Sequence, residues 1–253
     1  MELLQRLSFG YGVEDTSVSV MDDVSLTIRP EKVTVLMGPN GCGKSTVVHL
    51  LLGEVRATSA LALRALDDEE RAAAVLQDYR AQVILGSSLL VNVDLLLGRR
   101  RGIRLPEDPY AQVKDRLASF GYDIDLTRTA ATLSGGQLQA FVLARSLIFH
   151  RGLWVLDEPA SAIDFRRRTK IFGAIRKRHI QGRTVLMVTH DFEDALSLAD
   201  DILLFDPGMV LLTAIRVNRR PGETAQQFLL SPVAQALREE YLRVVHGNGA
   251  VAS

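Results

Sequence analysis

Nine consecutive residues, Gly38-Pro39-Asn40-Gly41-Cys42-Gly43-Lys44-Ser45-Thr46, have the types and spacing needed to hold a phosphate. They fit G-x-x-x-x-G-K-[ST], with Gly38, Gly43, Lys44 and Ser45 at the fixed positions. Glycines let the backbone curl until several N–H groups face one anion. A helix starting here adds the partial positive charge of its N-terminus. Lys44 would reach the β- and γ-phosphates, and the Ser45 hydroxyl would take one Mg²⁺ position. Two other polar clusters end apolar runs: Asp157-Glu158-Pro159 and Thr189-His190-Asp191. Taken singly, each fits an ordinary cap or a polar strand end equally well.

These residues need elements to position them. Val33–Met37, Leu153–Leu156 and Thr184–Val188 are apolar almost throughout, as expected for strands of a sheet covered on both faces. Each runs into one of the polar clusters, and open α/β sheets bind ligands at the carboxyl ends of parallel strands. Thr46–Leu52 reads as the start of a helix. Around Leu3–Phe9 and Val18–Ile28 the pattern alternates; Val24, Leu26 and Ile28 oppose Ser25, Thr27 and Arg29, which predicts a half-exposed strand. From about Gly86 to Leu133 the pattern is helical. Asp108-Pro109 supplies an N-cap and a first-position proline there, and 98–106 is a basic connector. Ser231-Pro232 starts a last helix over about 231–245.

The whole chain sets bounds on partners. Its 253 residues are 47% apolar and 24% charged, an ordinary globular composition. Formal net charge is zero, so no nucleic-acid partner is expected, and Arg99–Arg101 and Arg166–Arg168 read as solvated faces. Cys42 is the one cysteine, so no internal disulfide forms. Met1–Arg6 has no apolar run of signal-peptide length, and no apolar run approaches a membrane span. The expected location is the cytoplasm, with any membrane reached through a partner.

A second glycine motif narrows the reading. Leu133-Ser134-Gly135-Gly136-Gln137 precedes an amphipathic pattern of Leu138, Val142, Leu143 and Leu147. It resembles the signature sequence of the ATP-binding-cassette (ABC) family, with Ser134 as helix cap. Trp154–Pro159 resembles that family's Walker B motif. Gln77 resembles its Q-loop glutamine, Ser161-Ala162-Ile163-Asp164 its D-loop, His190 its H-loop histidine, and Tyr11 the aromatic that stacks on adenine. These features follow family order from about Leu3 to Phe205.

The resemblance implies a P-loop NTPase (RecA-like) α/β core with a small antiparallel β-subdomain and an inserted helical subdomain. Residues 1–77 and 134–230 would form the core, 78–133 the insert, and 1–245 a single ATPase domain with 246–253 as a frayed tail. ATP and Mg²⁺ are the implied cofactors. Gly38 through Thr46, Tyr11, Ser134, Gly135, Gly136, Gln137 and Asp164 would contact nucleotide. Ser45, Gln77 and Asp157 would hold the metal. Lys44, Gln77, Glu158 and His190 would carry hydrolysis, with Glu158 acting on the attacking water. The implied partners are transmembrane permease subunits, a second copy or a homologous ATPase subunit, and an extracytoplasmic binding protein reached through the permease. The chain would then sit on the cytoplasmic face of the membrane. His190–Asp200 is similar to importers, and Arg220–Glu223 is faintly similar to nitrate-, sulfonate- and taurine-type importers. The alternative is a soluble, non-transport ABC ATPase acting in assembly or repair, and a third reading is an ATP-gated switch that hardly hydrolyses.

Three departures from the family pattern stand out. Glu31-Lys32 replaces the usual Gly-Glu. The stretch 45–76 is short, which predicts a trimmed β-subdomain. Asp78–Gln82 is not a typical continuation after Gln77; the apolar residues Val83, Ile84, Leu85, Leu89, Leu90 and Val91 beyond it are expected either to line a groove for a partner helix or to form core.

Overall fold

The computed structural model describes residues 1–11, 18–98, 108–148, 152–178, 182–205, 211–217, 223 and 225–247. The connector at 99–106, Arg220–Gly222, residues 248–253 and the Tyr11 side chain lie outside the described parts.

Two sheets organise the chain. The larger contains β3 (Val33–Met37), β5 (Leu153–Asp157), β6 (Thr184–Val188), β7 (Asp201–Phe205) and β8 (Leu211–Arg216), in the order β5-β6-β3-β7-β8. The first four strands are parallel and β8 is antiparallel at one edge. Every residue of β3 and β5 is buried, which explains their unbroken apolar sequences. Val75 adds an isolated parallel bridge to Leu156 beyond β5. The smaller sheet pairs β1 (Glu2–Tyr11) antiparallel with β2 (Val18–Thr27) and with β4, which is only Ala62–Leu63. The short stretch after the phosphate loop thus leaves a third strand of two residues.

Helices cover both faces. Side chains alternating along β3 divide between two apolar cores: Val33, Val35 and Met37 face one, and Leu36 faces the other with Leu4, Leu7 and Leu26 of the small sheet. The helix α1 (Lys44–Leu52) packs into this second core through Val47, Val48, Leu50 and Leu51. It ends at Gly53, left-handed at φ 70°, whose N–H returns to the carbonyls of His49 and Leu50. The short α2 (Asp68–Ala73) starts in a capping box formed by Asp67 and Glu70.

Between Val83 and Leu133 the described elements are α3 (Leu89–Gly98), α4 (Pro109–Ser119) and one 3₁₀ turn at Ala130–Thr132. Asp108 accepts from the Ala111 N–H and Pro109 occupies the first turn of α4, as its sequence predicts. Next comes α5 (Gly135–Ser146). Its sequence reads as amphipathic, yet Leu138 through Ser146 are all buried. The polar residues among them, Gln139, Arg145 and Ser146, are buried because each finds hydrogen bonds inside the fold.

The remaining helices are α6 (Phe165–Arg178), α7 (Phe192–Leu198), α8 (Ala225–Leu229) and α9 (Pro232–Gly247). The last folds back on α7: the Tyr241 and Phe192 rings stack at 4.6 Å, and Arg238 pairs with Glu193 at 2.5 Å. No described helix is long and apolar enough to cross a membrane.

Candidate active site

Parallel strands deliver their ends to one edge of the sheet, and here β3, β5 and β6 deliver the three polar clusters together. After β3 the chain turns through Gly38–Gly43 into α1. Gly41 and Gly43 are left-handed, at φ 83° and 104°. A Cβ on Gly38 would lie 2.7 Å from the Phe205 carbonyl oxygen, so glycine is required there for a different reason, close approach to the end of β7. No side chain caps the first turn of α1, which leaves its N–H groups open to an anion. Lys44 is buried and folds back over the loop, donating to the carbonyls of Gly38 (2.9 Å) and Pro39 (2.8 Å). Cys42 is fully buried beneath it, with Sγ 3.8 Å from Lys44 Nζ.

Across the sheet, Ser45 Oγ donates to Asp157 Oδ1 at 3.2 Å. Burial pushes the Asp157 carboxyl up to about 6; the Ser45 hydrogen bond opposes the rise and the neighbouring Glu158 adds to it. No salt bridge reaches Asp157 among the described residues. A desolvated carboxylate beside a hydroxyl, both hard oxygen donors, is a donor set that suits Mg²⁺. The Asp157 N–H donates to the Val75 carbonyl at 2.7 Å, and Gln77, two residues on, is exposed.

Glu158 is the focus of the cluster. One carboxylate oxygen accepts from the His190 N–H at 3.0 Å and meets His190 Nδ1 at 2.7 Å. The other accepts from Thr189 Oγ1 at 3.2 Å. The backbone of Glu158 is left-handed at φ 47°, a conformation that costs a non-glycine residue roughly 1–3 kcal/mol. Its N–H donates to the Val188 carbonyl at 2.9 Å, tying the turn to the end of β6.

The second glycine motif lies elsewhere. Ser134 Oγ accepts from the Gln137 N–H, and the Gln137 side chain accepts from the Ser134 N–H, a closed capping box. The structure therefore uses Gln137 within its own turn. Cβ atoms built on Gly135 and Gly136 would lie 3.0 Å from Tyr79 Oη and from the Ala162 carbonyl respectively. No hydrogen bond among the described residues joins Ser134–Gln137 to Gly38–Thr46. The chain brings its signature motif together with Ser161–Asp164, not with its own phosphate loop. Asp164 is exposed, accepts from the Arg167 N–H and pairs with Arg167. Tyr11 is paired with Val18 at the end of β1, in the other sheet.

Two residues here escaped the sequence. Gln139, fully buried on α5, donates to the Glu158 carbonyl and to Ser161 Oγ, both at 3.1 Å, and accepts from the Ala162 N–H at 2.7 Å. Arg168, read as part of a solvated arginine face, turns inward. It donates to the Ile163 carbonyl at 2.7 Å and pairs with Asp191 (3.2 Å) and Asp194 (3.3 Å). Arg166 and Arg167 remain exposed as expected. Burial, together with repulsion from Asp191, pushes the Asp194 carboxyl up to about 7 despite Arg168.

The model of the ABC transporter family matches residues 21–161. The chain belongs to the ABC transporter family. The cassette is 33% identical to the aliphatic sulfonates import ATP-binding protein SsuB 3 of Pseudomonas savastanoi, over 86% of this chain and 79% of that one. It is 35% identical to SsuB 1 of Nocardia farcinica, over 89% and 85%. Its fold matches the dimeric bacterial ABC transporter cassette MJ0796 with a TM-score of 0.72 at 24% identity, covering 87% of this chain and all (100%) of that one. As a cassette of this family the chain binds and hydrolyses ATP.

Proposed function

We propose that this cassette is the ATPase subunit of a bacterial-type importer for sulfonates or similar small organic anions. The similarity to sulfonate import subunits over most of both chains supports that reading. The single observation that carries the chemistry is the convergence of Lys44, Ser45, Asp157, Glu158 and His190 at one sheet edge. Gly38–Thr46 receives the phosphates of ATP, and Lys44 exchanges the loop carbonyls for phosphate oxygens. Ser45 and Asp157, with Gln77, would hold magnesium, which would supply neutralisation of phosphate charge when bound. Glu158 orients and deprotonates the attacking water, and His190 stabilises charge building on the γ-phosphate.

The signature motif completes a second copy's site. Ser134, Gly135 and Gly136 of one chain face the nucleotide held by the other, and Asp164 lies at the seam. Two copies in head-to-tail orientation thus enclose two ATP molecules. The domain runs over 1–245, with 78–133 as its helical lobe. That lobe meets the permease: a groove of about 480 Å³ is lined by Val83, Ile84 and Leu95 together with Asp68 and Arg71. Leu89 is core, Leu85 and Leu90 pack against it, and Ile84 and Val91 stay exposed, so the apolar run after Gln77 divides between groove and interior. The permease holds the cassette at the cytoplasmic membrane face and connects it to an extracytoplasmic binding protein.

The test is to purify a tagged Glu158→Gln variant from membranes with Mg-ATP and identify what comes with it. The proposal expects a polytopic membrane protein. Recovery of soluble partners alone would favour an assembly ATPase.

A further inference from the structure

Glu158 needs a left-handed backbone to aim its carboxylate at Thr189 and His190, and that conformation is unfavourable for any residue with a Cβ. Besides the 3.3 Å turn bond from the Ser161 N–H to the Glu158 carbonyl, two hydrogen bonds fix the backbone there. One comes from its own N–H to the end of β6. The other is accepted by its carbonyl from Gln139 Nε2. The Gln139 amide is wholly committed to this turn, donating also to Ser161 Oγ and accepting from the Ala162 N–H. It is fully buried, so water cannot replace it. Arg168 grips the same loop from the far side through the Ile163 carbonyl.

Gln139 also lies one helical turn after Gly135, on the helix whose first residues form the signature motif. A small rotation of α5 is therefore transmitted to the Glu158 turn through one rigid amide. We infer that Gln139 is a positioning residue for ATP hydrolysis, locking Glu158 in its strained conformation and linking it to the signature helix. The inference rests on the role proposed above for Glu158. It assigns Gln139 to the chemical step and gives it no part in holding nucleotide.

Gln139→Met preserves length and removes every hydrogen bond; Gln139→Glu preserves the acceptor for Ala162 and removes the donor to Glu158 and to Ser161. In the purified full chain both variants should hydrolyse ATP about 10- to 100-fold more slowly at unchanged KM, the size expected of a misplaced group. Each should still form the ATP-dependent dimer when combined with Glu158→Gln. A rate within twofold of wild type in either folded variant overturns the inference. So does loss of nucleotide binding or of dimer formation in proportion to the rate, which would make Gln139 a structural or signature residue. Should Gln139→Met fail to fold, Gln139→Glu decides alone. Glu158→Gln measured in parallel separates the two layers: if it retains the wild-type rate, the role of Glu158 itself fails. If it is slow while both Gln139 variants are normal, only the present inference fails.

Discussion

Gly38–Gly43 and Ser134–Gly136 are both glycine turns leading into helices, and they differ in what they leave unsatisfied. The phosphate loop leaves the first turn of α1 without a side-chain cap and folds its lysine over its own carbonyls. The signature turn is closed by the Ser134–Gln137 box and rests against Tyr79 and Ala162. In the proposed reading one turn receives the phosphates of ATP. The other, half-buried at Gly135 and Gly136, is closed by its capping box and lies beside the loop that carries Asp164. The contrast teaches that two glycine-rich helix starts of similar sequence differ in whether a side chain caps the first turn.

Four changes probe this contrast, taken from the largest expected effect down. Lys44→Ala should weaken ATP binding by about 100-fold, the loss of charge-assisted phosphate contacts, read by equilibrium titration with a fluorescent ATP analogue. Gly136→Asp should leave that binding within about threefold, because its loop is intact, yet cut hydrolysis by about 100-fold by setting a carboxylate against a partner's phosphates. Equal losses of binding in the two variants would erase the distinction between the turns.

The third change concerns pH. Asp194 is raised in the fold from 3.8 to about 7 by burial and Asp191, with Arg168 opposing and Glu158 adding a little. A raised acid contributes stability below its unfolded value, and that contribution is lost as pH rises through the folded one. Asp194→Asn keeps an acceptor for Arg168 but does not titrate. Relative to wild type it should gain about 2 kcal/mol between pH 5 and pH 8, measured by urea unfolding. A pH-independent difference would contradict the burial argument.

The smallest effect expected is at the cap. Ser134→Ala should cost about 1 kcal/mol of stability, seen as a lower urea midpoint, with ATP affinity unaltered.

Much of this molecule is legible in its sequence for one physical reason. Runs such as Val33–Met37 are buried on both faces and have no choice but to be apolar, and the strand ends they deliver follow at once. Turn chemistry is equally local: Asp108-Pro109 starts α4 as written. Glu31, where the sequence departs from the family's usual Gly-Glu, adopts a left-handed conformation at φ 57°. What stayed hidden depends on distant partners. Arg168 looks like its exposed neighbours Arg166 and Arg167 until α7 supplies Asp191 and Asp194. Gln139 reads as a polar position on α5 until Glu158, Ser161 and Ala162 close around it. Leu89 and Ile84 share one apolar run and part ways because only one is covered. Periodicity reveals a face, and what covers that face is a tertiary fact.

The central claim is that a second copy's signature motif completes the site. Its most direct test is sedimentation of the Glu158→Gln variant with and without Mg-ATP, alone and combined with Gly136→Asp. The account predicts a dimer with two bound ATP for the single variant, and a monomer still holding one ATP for the double variant. A double variant that dimerises as readily as the single one would contradict it.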